Sequence, residues 1–450
     1  MNPAALKANK DWVKTGGTII INIDSFSQKD LEKAGYEKHP LSSSSFDGFN
    51  VIEAPITKIT RETLKDSSLD GKSIGRSKNM FALGIVYWMF NRKMEKTERF
   101  LSTKFKNNPE LVNANIKVMH AGYNFAETIE ALPSSYSILP ANLKKGIYRN
   151  IMGNQSLAWG FLAAAERANK ELFLGSYPIT PASDILHELA KHKNLGVKTF
   201  QAEDEIAAIC SAIGASFTGS LAITTTSGPG FALKGEALGL AIMTELPLVV
   251  VDVQRGGPST GLPTKTEQSD LMQALYGRNG ESPAIVLACS TPANCFDWAY
   301  IASKITLEHN TPVILLSDGY LGNGAEPWKI KSTREMPEIQ AKIANKNEDY
   351  QPYARDNKTL ARKLALPGTK GLEHRIGGLE KEDITGNVSY DGNNHEKMVG
   401  IRSSKIKQLA NIIPEQKIFG IPKGELLVVG WGGTYGSLYS AVNNLINKGE

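Results

Sequence analysis

The sequence predicts an α/β protein with doubly wound parallel sheets, and two observations support this class. Strand-like and helix-like segments alternate from residue 171 to residue 318. The strand segments, such as "LPLVVVDVQ" and "TPVILLSD", are nearly continuous runs of Val, Ile and Leu, which is typical of strands that helices cover on both faces. Because ligands of such sheets bind outside the carboxyl ends of the strands, functional residues are expected there.

Composition limits the classes of function. The chain has 450 residues, 41% of them apolar, and a net charge of +5, which suits two or three globular domains and no nucleic-acid partner. No apolar run reaches the roughly 18 residues of a membrane span, and the N-terminus does not resemble a signal peptide. We therefore expect a cytoplasmic protein with no membrane partner. The 3 cysteines lack C-x-x-C spacing, so neither a disulfide framework nor an internal iron–sulfur site is expected.

The first 130 residues predict a smaller α/β domain. The segments "GGTIIINID" and "DGFNVIEAPI" are typical of strands, and "NMFALGIVYWMF" is typical of a buried helix. The domain opens on a helix-to-strand unit with no strand before it, so either a partner covers it or the domain begins upstream. Residues 131–150 contain prolines and serines without a clear period, which indicates a linker.

The alternating strands and helices occupy residues 151–328. Residues 329–422 are charged and rich in Gly and Asn, which predicts an extended excursion or linker. Residues 423–450, with "ELLVVGWGGTYGS", predict a strand, a glycine turn and a helix. These elements are too few to bury a core, so we interpret them as the start of a third, truncated domain.

Four β-to-α turns of the central domain contain unusual side chains, and a parallel sheet would place them at one edge. They are "SYPITPAS", "QAEDEIAAI", "TTTSGPGFALKGEA" and "VQRGGPSTGLPTKTEQSD". The glycines of the third turn match neither common nucleotide motif, and Pro229 lacks the N–H that a phosphate cradle would use. A further segment, "SDGYLGNG" at 317–324, predicts a solvent-facing turn.

Glu205 is the ionisable group of greatest interest. It opens the helix "EIAAICSAIGAS", and its apolar neighbours at 206–209 would desolvate the carboxyl group and raise its pKa, leaving it able to share a proton. The alternative is that an acidic residue at a helix start only complements the helix dipole.

Arg255 follows a predicted strand and precedes "GGPSTGLPT". A guanidinium held among hydroxyl groups at a strand end can bind a carboxylate, because its planar fork matches two oxygens. The alternative is that Arg255 only ties down its own loop.

Together these turns resemble the α subunit of 2-oxoacid:ferredoxin oxidoreductases with a γ domain fused ahead of it, as in 2-oxoglutarate:ferredoxin oxidoreductase. The segments "GNQSLAWGFLAAA", "GLEHRIGG" and "LLVVGWGGTYGS" match as well. Gln155 and Trp159 depart from the usual pattern and are expected to affect packing near the "YPITP" turn. The resemblance implies a partial γ domain at 1–130, a pyrimidine-binding domain for thiamine diphosphate at 151–328, and the start of a transketolase C-terminal-like domain at 423–450.

The resemblance also implies residue roles. Glu205 would be catalytic, through a hydrogen bond to the pyrimidine ring of thiamine diphosphate. The implied substrate-binding residues are Thr180, Arg255, Thr260 and Thr264. The implied cofactor-binding residues are Tyr177, Pro178, Ile179, Glu205, Ser227 and Gly228.

Finally, the resemblance implies partners. No diphosphate–magnesium motif and no cysteine cluster are evident, so Mg²⁺ and an iron–sulfur cluster are expected on a separate β subunit of an (αβ)2 assembly, with no metal ligand on this chain. The implied activity is the oxidative decarboxylation of a 2-oxoacid, most simply 2-oxoglutarate, with coenzyme A and ferredoxin. The alternatives are a pyruvate, branched-chain or aryl 2-oxoacid enzyme, or a non-catalytic assembly subunit.

Overall fold

A computed structural model describes residues 1–42, 46–133, 135–346, 349–416 and 418–449. Ser134, in the predicted linker, and residues 347–348, in the predicted excursion, lie outside the described residues. The chain divides into two compact units, Met1–Lys144 and Lys145–Glu450. In the described ranges, no helix combines the length and the apolar character needed to cross a membrane.

The described residues of the first unit form a two-stranded parallel sheet and six α-helices. The strands are β1 (Thr18–Asn22) and β2 (Asn50–Ala54). The helices are α1 (Pro3–Asn9), α2 (Gln28–Lys33), α3 (Ile56–Thr63), α4 (Gly71–Met89), α5 (Glu95–Lys104) and α6 (Pro109–Thr128). Both predicted strands and the predicted buried helix, which forms part of α4, are confirmed.

The second unit is organised around a six-stranded parallel sheet. Its strands and those of a small antiparallel pair are β3 (Tyr148–Met152), β4 (Leu172–Ser176), β5 (Val197–Gln201), β6 (Leu221–Thr226), β7 (Val249–Gln254), β8 (Ile285–Ala288), β9 (Val313–Asp318) and β10 (Ala325–Lys329). Its helices are α7 (Gly153–Ala168), α8 (Ser183–Leu189), α9 (Glu205–Phe217), α10 (Gly228–Leu233), α11 (Gly235–Met243), α12 (Leu271–Tyr276), α13 (Asn294–His309), α14 (Gly319–Asn323), α15 (Gly392–Leu409) and α16 (Tyr435–Lys448).

Alternate residues of the central strands serve two separate cores. Val249 and Val251 belong to one apolar cluster, whereas Val250 belongs to another. Successive side chains of a strand point to opposite faces, so helices cover both faces of the sheet. The predicted doubly wound parallel sheet is therefore confirmed.

The strand order places a crevice beside β4. The sheet runs β5-β4-β6-β7-β9-β8, so the chain leaves β4 for a neighbour on one side and then returns to β6 on the other side. Connections that diverge in this way leave a crevice at the carboxyl ends of the two strands. Ser176 and Thr226, the last residues of β4 and β6, mark its position.

The segment 329–422, predicted to be extended, is better ordered than expected. It contains the helix Gly392–Leu409, and it reaches back to Glu245 after α11. Arg355 Nη1 and Lys405 Nζ donate hydrogen bonds to Glu245 Oε2 at 2.8 and 2.6 Å. Burial opposes ionisation of Glu245, but the charges of Lys405 and Arg355 hold its pKa below the usual range. The sequence did not show this ordered part, because the partners of this charged segment lie far away along the chain.

Two shorter predictions also require correction. The segment 317–324 contains the helix Gly319–Asn323, because the buried Asp318 accepts hydrogen bonds from the backbone N–H groups of Tyr320 and Leu321 at 2.9 Å. The predicted helix near the end is present as α16, but residues 425–430 form no strand in the described structure. Leu426 and Leu427 are 81% and 76% exposed. A single strand with no neighbouring strand leaves its backbone N–H and C=O groups unpaired, so strand formation is not favoured here.

The ionic cluster leads to a stability prediction. Replacing Lys405 with Met leaves Glu245 with less compensation inside the protein, so we expect a loss of up to about 3 kcal/mol in the free energy of unfolding. Lys407→Met, an exposed change on the same helix, should have little effect. Urea unfolding followed by circular dichroism measures both variants, and equal stabilities would contradict the prediction.

Candidate active site

Hydroxyl groups join the ends of β4 and β6. Ser176 Oγ lies 2.6 Å from Thr225 Oγ1, and Tyr177 Oη lies 2.8 Å from Thr226 Oγ1. All four residues are buried, where hydroxyl groups need hydrogen-bond partners. These contacts fix the start of the "YPITP" turn against β6, so the first and third candidate turns meet at the crevice.

Tyr177 is a neutral hydrogen-bonding group at this edge. Burial raises the pKa of its phenol, and the neighbouring Glu205 carboxylate raises it further. The side chain is 5% exposed. The phenol therefore keeps its proton near neutral pH and can donate it in a hydrogen bond.

Gly230 allows three elements to approach one another closely. A Cβ at this position would lie 2.2 Å from Tyr177 Oη, 2.3 Å from Thr226 Oγ1 and 2.8 Å from Glu205 Cγ. These distances leave no room for a side chain. The turn between β6 and α10 consequently brings the "YPITP" turn and the start of α9 together.

Glu205 is the first residue of α9, and the side chain of the preceding Asp204 caps this helix by accepting a hydrogen bond from Ala207 N at 2.8 Å. Glu205 is half-buried. Its apolar neighbours enclose it less than we expected, because Ile206 is 51% exposed and only the residues at 208 and 209 are buried. Glu205 thus combines contact with Tyr177 and access from solvent.

Arg255 connects two of the candidate turns. Its side chain is 5% exposed, and its Nη1 donates a hydrogen bond to the backbone carbonyl of Thr180. Within the described chain, Arg255 Nε and the buried Ser227 Oγ have no hydrogen-bond partner. Buried polar atoms of this kind generally have partners, so both atoms are suited to contact a bound molecule.

The loop after Arg255 is compact and carries the exposed threonines. Gly256 N donates to Lys265 O at 2.9 Å and Leu262 N donates to Gly256 O at 2.8 Å. Thr260 and Thr264 are both exposed. The loop therefore presents hydroxyl groups on a folded backbone.

A cleft of about 270 Å³ brings Thr180 and Thr264 together. Its other lining residues include Pro181, Asp184, Gly319 and Asn323. Thr260 is exposed on the same loop as Thr264. It is not one of the described residues that line the cleft. The structure thus places two of the four predicted substrate-binding residues in one cleft, and Arg255 is hydrogen-bonded to one of them.

The base of this loop is anchored beside Gly228. Asp270 N donates to Gln254 Oε1 at 3.1 Å, and a Cβ at Gly228 would lie 2.6 Å from Asp270 Oδ2. Burial raises the pKa of Asp252 well above its usual range, and the neighbouring Asp270 raises it further. The two carboxyl groups can therefore share a proton and hold the loop to β7. Gly228 and Ser227, both predicted to contact the cofactor, lie beside this anchor.

The remaining predicted cofactor residues follow Tyr177 in the turn. Pro178 is exposed and Ile179 is half-buried, with its N–H donating to Ser183 Oγ at 2.8 Å. Asn154 supports the turn from α7, since its Nδ2 donates to Pro181 O at 2.8 Å. Sequence reasoning missed Asn154, although it lies within the quoted segment "GNQSLAWGFLAAA".

The unusual residues Gln155 and Trp159 also support this region. Their side chains donate hydrogen bonds to Glu188 Oε1 at 3.1 and 2.8 Å. Burial opposes ionisation of Glu188, but these bonds together with Lys191 lower its pKa to about 2. The expectation that Gln155 and Trp159 affect packing near the turn agrees with these contacts to α8.

Among the described residues, no group of three or more His, Cys, Asp or Glu side chains is arranged to hold a metal ion. Cys289 and Cys295 are buried and Cys210 is exposed, all three as free thiols.

Comparisons with known proteins show similarity in both parts of the chain. Residues 164–390 match the family described as pyruvate flavodoxin/ferredoxin oxidoreductase, thiamine diphosphate-binding. Residues 1–125 match pyruvate ferredoxin/flavodoxin oxidoreductase. The fold and the site therefore define a thiamine diphosphate-binding α/β protein.

Individual relatives narrow the family to which the chain is similar. It is 51% identical to 2-oxoglutarate oxidoreductase subunit KorA of Mycobacterium tuberculosis. The alignment covers 100% of this chain and 69% of the KorA chain. It is 32% identical to 2-oxoacid:ferredoxin oxidoreductase 1, subunit alpha, of Aeropyrum pernix, covering 89% of this chain and 63% of that one.

A solved structure is similar over the whole chain. It is 2-oxoglutarate:ferredoxin oxidoreductase from Magnetococcus marinus with 2-oxoglutarate, coenzyme A and succinyl-CoA bound, and it aligns with a TM-score of 0.84 at 32% identity, covering 100% of this chain and 74% of that one. The chain belongs to the family of 2-oxoacid:ferredoxin oxidoreductase α subunits. The resemblance predicted from the four turns is confirmed.

The close approach at Gly230 can be tested by adding one methyl group. Gly230→Ala should lower the free energy of unfolding by about 1–3 kcal/mol, as overpacking of a well-filled interior does. Gly239→Ala is the matched control, because a Cβ there meets nothing within 4 Å and alanine favours a helix over glycine. Thermal melting of both variants decides the question, and a Gly230→Ala protein as stable as the control would contradict the geometry.

Proposed function

We propose that this chain is the α subunit of a coenzyme A-dependent 2-oxoglutarate:ferredoxin oxidoreductase. In the proposed reaction, 2-oxoglutarate loses its first carboxylate as carbon dioxide, and its second carbon forms a bond to the coenzyme A sulfur to give succinyl-CoA. The two electrons released pass to two oxidised ferredoxins, and one proton is released.

One observation carries the proposal: Thr180, Glu205 and Arg255 converge at the carboxyl edge of β4, β6 and β7. Arg255 hydrogen-bonds the Thr180 backbone, and Glu205 influences the pKa of Tyr177 from the same edge. The choice of 2-oxoglutarate is supported by the names of the Mycobacterium tuberculosis and Magnetococcus marinus relatives.

The residues fit the pyrimidine half of thiamine diphosphate. Ser227 Oγ is buried without a partner in the described chain, and Tyr177 offers a neutral donor beside it. Thiamine diphosphate, when bound, supplies a nucleophilic carbon and an electron sink for decarboxylation. Glu205 would accept and return a proton at the pyrimidine ring, with Tyr177, Pro178, Ile179, Ser227 and Gly228 lining the ring.

The substrate would lie on the loop side of this edge. The free Nε of Arg255 can pair with the carboxylate of a 2-oxoacid while Nη1 remains on Thr180. Thr180 would hydrogen-bond the 2-oxo group, and Thr264, across the shared cleft, would influence which side chain is accepted. Thr260 would contribute a hydroxyl group on the same loop.

We infer that the assembled enzyme requires a β subunit. The name of the Aeropyrum pernix relative describes one subunit of a larger enzyme, and we propose that the β subunit holds the diphosphate with Mg²⁺ and the iron–sulfur cluster in an (αβ)2 assembly. The proposed domains are a γ-type domain at 1–130, a pyrimidine-binding domain at 151–328 and a transketolase C-terminal-like segment from 423. The segments 131–150 and 329–422 would connect them.

The reaction is tested by co-expressing the full-length subunit with its β subunit. Coenzyme A-dependent reduction of a low-potential dye is measured with 2-oxoglutarate, pyruvate and branched-chain 2-oxoacids. Preference for another acid would reassign the substrate. No activity with any acid, together with no thermal shift from thiamine diphosphate, would favour a non-catalytic assembly subunit, because a ligand that binds the native complex raises its stability.

The role of Glu205 gives a sharper prediction. Glu205→Gln keeps the shape of the side chain but cannot share a proton, and the loss of a positioned acid–base group typically costs about 10²- to 10⁴-fold in rate. Glu203→Gln, an exposed change two residues earlier, is the control. Steady-state turnover of the assembled complex is the measurement, and wild-type turnover in Glu205→Gln would remove the assignment.

Substrate recognition can be separated by two variants. Arg255→Lys replaces a bidentate fork with a point charge, so the KM of every 2-oxoacid should rise, by the equivalent of about 1–3 kcal/mol. Thr264→Ala should lower use of 2-oxoglutarate relative to pyruvate, since only the longer acid has a second carboxylate to orient. Kinetics on both acids decide the matter: equal losses in Thr264→Ala would exclude a role in selectivity, and an unchanged KM in Arg255→Lys would return the arginine to a structural role.

A further inference from the structure

Lys234 is a fully buried lysine directly behind Glu205. It lies between α10 and α11, and its side chain is 0% exposed. Its Nζ donates to the backbone carbonyl of Glu205 at 2.8 Å and to Thr224 Oγ1 at 3.0 Å. The same atom lies 5.2 Å from the centre of the Tyr177 ring. One ammonium group thus contacts α9, β6 and the "YPITP" turn.

A cation in this place is costly for stability. Burial lowers the pKa of Lys234 to about 7, while the carboxylates of Glu205 and Asp204 oppose that change. The positive end of the α9 dipole lies at the same point, and a positive charge is unfavourable there. In the described chain, its hydrogen bonds go to a carbonyl and a hydroxyl group, which are neutral acceptors. A methionine would fill the same space without these costs.

Lys405 is a second buried lysine, and its partners differ in kind: besides the carbonyl of Asn310, it has a carboxylate partner. Its Nζ is 2.6 Å from Glu245 Oε2, a direct ion pair. Lys234 has no carboxylate partner among its hydrogen bonds and instead holds the main-chain carbonyl of Glu205, whose side chain contacts Tyr177. The difference indicates that Lys234 acts on the position of Glu205.

We propose that Lys234 is a positioning residue for Glu205: its two hydrogen bonds fix the first residue of α9 against β6 and thereby hold the side chain of that residue in place beside Tyr177. This inference rests on the function proposed above for Glu205. Lys234 contacts neither Arg255 nor the threonines of the substrate cleft through any bond in the described residues, so its removal should spare substrate binding.

The test compares Lys234→Met, Glu205→Gln and the double variant in the complex assembled with the β subunit. A misplaced catalytic group can cost up to about 100-fold in rate, so Lys234→Met should lower kcat by about 10- to 100-fold and leave the KM for 2-oxoglutarate within about twofold. Because Lys234 acts through Glu205, the double variant should be no slower than Glu205→Gln alone. Losses that multiply, or an unchanged kcat in Lys234→Met, would overturn the proposal.

A binding measurement separates this inference from the proposed reaction. Calorimetric titration with thiamine diphosphate and Mg²⁺ should show Kd raised about 3- to 10-fold by Lys234→Met in the wild-type background and unchanged by it in the Glu205→Gln background. This pattern in a complex that oxidises no 2-oxoacid would refute the proposed reaction but support the role of Lys234. No cofactor binding by the wild-type complex would overturn both.

Lys405→Met is the matched control, since it removes a second buried ammonium group far along the chain. It should lower the melting temperature without changing kcat or the cofactor Kd. If Lys234→Met fails to assemble, Lys234→Gln retains a hydrogen-bond donor without the charge and enters the same cycle. A control that reproduced the kinetic effect of Lys234→Met would show that destabilisation alone explains it, and would refute the proposal.

Discussion

The close approach at Gly230 is the constraint on which the site depends. Two strand ends and the start of a helix meet at a point where a single Cβ would lie 2.2 to 2.8 Å from Tyr177, Thr226 and Glu205. Protein interiors are packed too densely to absorb such an overlap without movement. The separation of the proposed acid–base group from the "YPITP" turn is therefore set by the backbone of the β6–α10 turn, before any ligand binds.

The three consecutive threonines at the end of β6 hold the neighbouring elements in position through side-chain hydrogen bonds. Thr224 accepts from Lys234 at 3.0 Å, Thr225 lies 2.6 Å from Ser176, and Thr226 lies 2.8 Å from Tyr177. Since successive side chains point to opposite faces, Thr224 and Thr226 serve one face and Thr225 the other. Valines would satisfy the strand equally well but could make none of these bonds. The strand is thus both a core element and the scaffold of the site.

The sequence predicted the sheet and the edge because both follow from local patterns. Runs such as that of β7 identify buried parallel strands, and parallel strands bring their following turns to one edge whatever the order. Contacts between distant segments were beyond such patterns. Lys405 reaches Glu245 across 160 positions, and Asp318 accepts a bond from Gly433 N across 115. Lys234 was missed for a related reason: its residue type predicts exposure, and only the fold shows that it is buried.

The site combines a buried side, proposed to bind the cofactor, with an exposed side, proposed to bind the substrate. Tyr177, Ser227 and Arg255 are buried, whereas Thr180 and Thr264 are exposed. Rigid elements hold reactive groups more accurately than loops do, while exposed loops tolerate change and often determine ligand preference. Arg255 joins the two sides, because its guanidinium is fixed by burial and holds the backbone, not the side chain, of Thr180. A change in the exposed hydroxyl groups therefore leaves the buried geometry beneath them in place.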